Sequence, residues 1–136
     1  MTAIQAAGLY AGLNTLLLIF LAYNVTRHRQ RTAISLGIGE DAGLEQACRA
    51  HGNAIENVVP GIVALAILAL TGSSVLVVHI LGAVLTIGRV LHAQGLLSAP
   101  GRTFGRFFGT LATWISLLVM AVFLVLKPFI PALQTL

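Results

Sequence analysis

Three polar side chains lie in a polar run near the middle of the chain, directly before an apolar run that begins at Val58. Arg49, Asn53 and Glu56 follow one another at spacings of four and three residues. On a helix of 100° per residue they lie within about 60° of one another. An arginine binds a carboxylate, a glutamate binds an ammonium group, and an asparagine binds either. This polar stripe (Arg49, Asn53 and Glu56) therefore predicts a site for a small zwitterion.

The same stripe has a purely structural interpretation. Buried charges need partners, so Arg49 and Glu56 could neutralise each other or side chains on a neighbouring helix. The residues alone leave both interpretations open. His51 lies on nearly the opposite face of the same helix, so it cannot join the stripe within one subunit. It could serve a site across a subunit boundary or act as a structural hydrogen-bonding residue.

Two further pairs of polar residues stand later in the chain. Arg89 and His92 are three residues apart, so they share a helix face. A lipid-buried arginine needs a carboxylate or the interface, and Glu56 is the expected partner of Arg89. Arg102 and Arg106 are one turn apart, and they anchor a helix at the interface or stabilise an anion such as a thiolate.

No metal site is expected. The only cysteine is Cys48, which also excludes an internal disulfide. Metal-binding motifs bring histidines or cysteines together at short spacings, and the four histidines show no such pairing. They are His28, His51, His79 and His92.

The composition determines what kind of molecule positions these residues. Of the 136 residues, 57% are hydrophobic and 9% are charged, which is typical of an integral membrane protein of one domain. The net charge of +4 does not indicate nucleic-acid binding, because the arginines cluster beside apolar segments.

Four segments are long and apolar enough to cross about 30 Å of hydrocarbon. They cover residues 3–25, 41–70, 74–97 and 104–126. Short turns at 71–73 and 98–101 connect the last three, and residues 26–40 form the only long loop. The sequence therefore predicts an all-α membrane protein, a bundle of four transmembrane helices forming a single domain over residues 1–136.

The charges are distributed unequally between the two ends of this bundle. Seven of the eight basic residues and all four acidic residues fall at one end, leaving Lys127 at the other. The excess of arginine predicts that this end is cytoplasmic. Both termini are then expected on the periplasmic side, with the polar stripe near the cytoplasm.

With these motifs in place, the chain resembles the MAPEG family, the membrane-associated proteins of eicosanoid and glutathione metabolism, and its shortness is typical of bacterial members. The resemblance covers nearly the whole chain. It depends on the run Arg-Ala-His-Gly-Asn-Ala-Ile-Glu-Asn that begins at Arg49, on Arg-x-x-His at Arg89, and on Ala-Pro-Gly-Arg ending at Arg102.

The resemblance implies a homotrimer with glutathione, as co-substrate, bound between neighbouring subunits in a bacterial inner membrane. Arg102 matches the arginine that stabilises the glutathione thiolate, and it is the expected catalytic residue. Arg31 or Arg27 would come from the neighbouring subunit, and His51 matches a position that faces the subunit boundary in some members. The implied glutathione ligands within one chain are Arg49, Asn53, Glu56, Arg89 and His92.

The expected function is binding of glutathione and transfer of its thiolate to lipophilic electrophiles, or reduction of lipid hydroperoxides. Two positions that hold tyrosine in catalytic family members are Leu96 and Arg106 here, so whether the protein turns over stays open. One alternative is a small proton-coupled transporter that uses Glu56. The other is a non-catalytic binding or structural membrane protein.

Overall fold

Four helices make up the fold. The computed structural model describes residues 1–130, and within them each helix is long and apolar enough to cross a membrane. The prediction of an all-α, four-helix membrane protein is confirmed. The helices are α1 (Ala3–Thr32), α2 (Ala42–Leu70), α3 (Val75–Ser98) and α4 (Phe104–Leu126).

Each helix begins at a residue whose side chain caps it. The side-chain oxygens of Thr2, Asp41, Ser74 and Thr103 each accept a hydrogen bond from a backbone N–H in the first turn. Such caps satisfy donors that have no partner within the helix. They explain why α2, α3 and α4 begin within one residue of the starts expected from hydropathy.

The first helix is longer than expected. It continues to Thr32, so the prediction of a loop beginning at residue 26 is wrong. A hydropathy criterion detects only the apolar part of a helix. The arginines and glutamine that follow residue 25 are polar but also favour helix, so they extend α1. The Nη1 atom of Arg29 also donates to three carbonyl oxygens in the following loop, which stabilises this polar end.

The third and fourth helices pack closely through glycines. A Cβ atom at Gly95 would lie 2.5 Å from the backbone nitrogen of Arg106, and one at Gly109 would lie 2.5 Å from that of His92. Neither site can hold a larger residue without moving the helices apart. We call this contact the glycine seam. It consists of Gly88, Gly95, Gly105 and Gly109.

Apolar side chains fill the interior at both ends of the bundle and also cover its outside. The larger cluster includes Leu65, Leu85 and Met120, all fully buried. A smaller cluster, which includes Leu21 and Leu96, lies towards the other end. The large exposed apolar side chains on all four helices suit contact with lipid.

The seam leads to a prediction about stability. Gly109→Ala should lower the free energy of unfolding by about 1–3 kcal/mol, because the added methyl group overlaps the backbone of α3. Gly12→Ala is the control, since a Cβ atom there meets nothing within 4 Å. Denaturant titration in mixed micelles measures both, and equal stability of the two variants would contradict the packing described.

Candidate functional site

The polar stripe lines a cavity between α2, α3 and the start of α4. The cavity has a volume of about 310 Å³ and is open on one side. Its walls combine the three stripe residues with side chains from the other two helices. The lining residues are Cys48, Arg49, Gly52, Asn53, Glu56, His92, Leu96 and Arg106.

Helix α2 presents the stripe along one face. Arg49 and Glu56 are exposed in the single chain and Asn53 is half-buried, so all three have surface available to a ligand. Pro60 has no backbone N–H, so the carbonyl oxygen of Glu56 cannot receive its usual helical hydrogen bond from residue 60. The side chains of the stripe thus give this wall a cation at Arg49, an amide at Asn53 and an anion at Glu56, all within two turns of helix.

Arg89 lies behind this wall and is 2% exposed. Its Nε atom donates to the hydroxyl oxygen of Thr113 at 2.8 Å, and its Nη1 atom donates to the side-chain oxygen of Asn53 at 2.9 Å. The guanidinium thus connects α3 to both α2 and α4. Because Asn53 uses its oxygen here, its NH₂ group is left to donate elsewhere.

The expected ion pair between Arg89 and Glu56 is not formed. Within residues 1–130, the one ion pair closer than 4.0 Å joins Arg31 to Asp41, at 3.9 Å. Arg89 instead contacts neutral oxygens, because the glycine seam places Thr113 beside its Nε atom and Asn53 is the α2 residue within reach. The carboxylate of Glu56 thereby stays accessible at the cavity wall.

The two arginines near the start of α4 occupy different places. Arg106 lines the cavity of the polar stripe, whereas Arg102 lies in the turn before the helix and lines a second cavity of about 420 Å³. Arg106 and His92 belong to both cavities, so the two spaces adjoin. The second cavity is largely apolar, with Phe107 and Trp114 among its lining residues.

Two of the expected site residues lie elsewhere in the single chain. Arg31 is exposed and lines a separate cavity of about 340 Å³ at the end of α1, with Arg27 and His28. His51 is half-buried on α2 and does not line the cavity of the polar stripe. The arrangement within one subunit therefore brings together Arg49, Asn53, Glu56 and His92, with Arg89 directly behind.

Sequence reasoning missed several of the residues that shape this site. Thr113 is one of them, and it lies on a polar face of α4 with Arg106 and Thr110, at spacings of four and three residues. That period indicates one helix face and could have identified it. Cys48 also lines the cavity, and its sulfur accepts a hydrogen bond from Arg29 at 3.7 Å.

The fold and the site define a four-helix membrane protein with a cationic and amide-lined cavity at one end of the bundle. The MAPEG family model matches residues 7–126, and the chain belongs to this family. It is 36% identical over 116 residues to the inner membrane protein YecN of Escherichia coli strain K12, covering 85% of this chain and 87% of the relative. YecN of E. coli O6:H1 matches to the same extent.

The Arg89 contacts predict the effect of removing one acceptor. Thr113→Val leaves a buried guanidinium donor without its partner, which should lower the free energy of unfolding by about 1–3 kcal/mol. Thr15→Val is the matched control, because that exposed hydroxyl bonds only to its own helix. Unfolding titrations compare them, and a Thr113→Val protein as stable as the control would contradict this role.

Proposed function

We propose that the protein binds glutathione at the polar stripe and transfers its thiolate to lipophilic electrophiles or uses it to reduce lipid hydroperoxides. The observation that carries this proposal is the cavity in which Arg49, Asn53 and Glu56 stand side by side on one wall. Membership of the MAPEG family supports the choice of glutathione over other small zwitterions.

The complementary groups for glutathione would come from this cavity and from a neighbouring subunit. Its two carboxylates require cations, which Arg49 supplies within the subunit, and Arg31 of a neighbouring subunit is the proposed second. Its ammonium group pairs with Glu56, and the NH₂ group of Asn53 donates to a carbonyl or carboxylate oxygen. Arg89 adds positive charge behind the wall, which favours the net negative tripeptide.

The proposed chemistry requires only glutathione and either an electrophile or a hydroperoxide. The thiol loses its proton to water at the open mouth of the cavity. In transfer, the thiolate sulfur forms a bond to an electrophilic carbon, and the leaving group departs with its electron pair. In reduction, two glutathione thiols supply two electrons, so the hydroperoxide becomes an alcohol and water while glutathione disulfide forms. Proximity and electrostatic stabilisation are the protein's contribution.

A second subunit is part of this proposal because of where Glu56 lies. It stands 14 residues before Leu70, or about 21 Å along α2, which places it within the depth of the hydrocarbon region. A carboxylate there is unfavourable when it faces lipid, yet Glu56 is exposed in the single chain. A homotrimer would cover this face and bring Arg31 and His51 to the subunit boundary.

We also propose that the protein lies in a bacterial inner membrane, as its relative, the inner membrane protein YecN, does. The arginine-rich end, with the cavity, would face the cytoplasm, where the positive-inside rule puts it. Both termini would then be periplasmic. Glutathione would enter from the cytoplasm, and the electrophile would arrive from the bilayer.

Glutathione binding tests the site directly. Arg49→Ala should weaken binding by about 10- to 150-fold, because a charge-assisted hydrogen bond of about 1.5–3 kcal/mol is lost. Glu56→Gln should weaken it similarly by removing the partner of the ammonium group. Calorimetry on the purified protein in detergent measures both.

Two variants complete this experiment. Glu40→Gln removes a carboxylate in the exposed loop before α2 and should leave binding unchanged. Arg49→Lys keeps the charge but loses the bidentate hydrogen-bonding geometry of arginine. Its affinity for glutathione should therefore lie between those of wild type and Arg49→Ala. Normal binding by folded Arg49→Ala and Glu56→Gln proteins would refute the site.

The oligomeric state gives a separate test. Native mass spectrometry of the protein released from detergent should show three copies. A folded monomer that binds glutathione as tightly as the assembled protein would contradict the proposal that neighbouring subunits complete the site.

A further inference from the structure

A buried lysine lies at the end of the bundle opposite to the polar cavity. Lys127 directly follows the last residue of α4 and is 4% exposed. Its Nζ atom donates to the hydroxyl oxygen of Ser73, in the turn between α2 and α3, at 2.7 Å. Ser73 is also 4% exposed. A lysine that only extended its ammonium group into water would be exposed at that group, so another partner is needed to explain this cation.

The acidic side chains of the protein all lie far from this lysine. Glu56 is the last acidic residue of the sequence, and it stands about 21 Å along α2 from Leu70, where the helix ends. The other three precede it. In an assembly of parallel subunits, the acidic residues of every neighbour lie at that same far end. Because a buried ammonium group is unfavourable without an anion, the site requires one that is neither aspartate nor glutamate.

We propose that Lys127 and Ser73 bind the phosphate group of an anionic phospholipid, at the end of the bundle opposite to the polar cavity. This site is independent of glutathione binding. It gives the protein a second ligand of a different chemical class, which belongs to the membrane itself.

The pair has hydrogen-bond donors available for a phosphate. A lysine ammonium group carries three donors, and within residues 1–130 the Nζ atom of Lys127 uses one of them, on Ser73. Because the oxygen of Ser73 accepts that bond, its own O–H is left to donate, and in the same part of the chain it has no acceptor. Two N–H groups and one O–H group therefore stand together, and phosphate oxygens accept from such donors.

The depth of Lys127 in the membrane matches the depth of lipid phosphates. The 23 residues of α4 make it about 34 Å long, slightly more than the hydrocarbon core of about 30 Å. The residue after this helix therefore lies at the edge of the hydrocarbon, where the headgroups begin. Subunits of a membrane oligomer stand side by side, so a neighbour leaves this end of the bundle facing the headgroups.

A largely apolar cavity of about 550 Å³ adjoins the lysine. Lys127 lines it together with Ile67, Thr71, Leu124 and Pro128. Ile67 and Leu124 provide apolar walls from α2 and α4, which suit the first part of an acyl chain. A neighbouring subunit that covered this groove would enclose the chain but would bring no acidic side chain to this depth. The lipid phosphate would then still be the partner of Lys127.

The charge of the site favours an anionic phospholipid over a zwitterionic one. In phosphatidylglycerol the phosphate is the only charged group. Phosphatidylcholine carries a quaternary ammonium group as well, which the ammonium group of Lys127 repels. Basic side chains at the membrane surface attract anionic lipids for the same reason.

Photocrosslinking locates the bound lipid. The probe is phosphatidylglycerol with a diazirine near the start of one acyl chain, added to the protein in phosphatidylcholine nanodiscs. It should label residues 67–73 and 124–128. Lys127→Gln should reduce this labelling about tenfold or more, because charge-assisted hydrogen bonds to the phosphate are lost. Lys127→Arg keeps the charge and should retain most of the labelling.

Two controls accompany these variants. Labelling near the arginine-rich end of the bundle should be the same in all of them, and circular dichroism verifies that each is folded. Ser73→Ala removes one donor without removing a charge, and it should reduce the labelling at residues 67–73 and 124–128 about threefold. Normal labelling of these residues in folded Lys127→Gln or Ser73→Ala protein would overturn the site.

Competitors identify the source of the anion. Unlabelled phosphatidylglycerol in excess should abolish the labelling, whereas inorganic phosphate or oleate at the same concentration should leave it nearly unchanged. Displacement by inorganic phosphate as effective as that by phosphatidylglycerol would mean that a free anion binds, and equal displacement by oleate would mean that a carboxylate does. Either result would overturn the assignment to a phospholipid.

Discussion

The close contact of α3 with α4 through the glycine seam is the constraint on which the rest of the structure depends. Because Gly95 and Gly109 have no side chains, the two backbones approach to a distance that any Cβ atom would prevent. That approach puts the hydroxyl of Thr113 beside the guanidinium of Arg89, and it sets Arg106 next to His92. In lipid, burial of apolar surface contributes little to helix association. Close packing and the polar contacts that it permits therefore stabilise the bundle.

The charges of the bundle follow from the same arrangement. Arg89 is almost fully buried, yet it is satisfied by the neutral oxygens of Thr113 and Asn53. The carboxylate of Glu56 therefore forms no ion pair with Arg89. A buried cation with neutral partners keeps its positive field at the cavity wall, and an accessible carboxylate stands beside it. This is the pairing that a zwitterionic ligand needs.

The parts of this architecture that could be predicted from sequence are those governed by hydropathy and local capping. The starts of α2, α3 and α4 follow from apolar runs preceded by Asp41, Ser74 and Thr103, and the helical period of the polar stripe places its residues on one wall. The partner of Arg89 could not be found in this way. Electrostatics alone favours Glu56, whereas the packing of three helices decides which oxygen reaches the guanidinium. The predicted end of α1 at residue 25 is wrong because the last two turns of the helix are not apolar.

In the proposed homotrimer, the polar wall that is exposed in one subunit would be covered by another subunit and would form the interior of the site. The most direct test is an electron cryomicroscopy structure of the protein in lipid nanodiscs with glutathione. The account predicts a trimer with ligand density against Arg49, Asn53 and Glu56. Density elsewhere, or a cavity closed by pairing of Arg49 with Glu56, would contradict it.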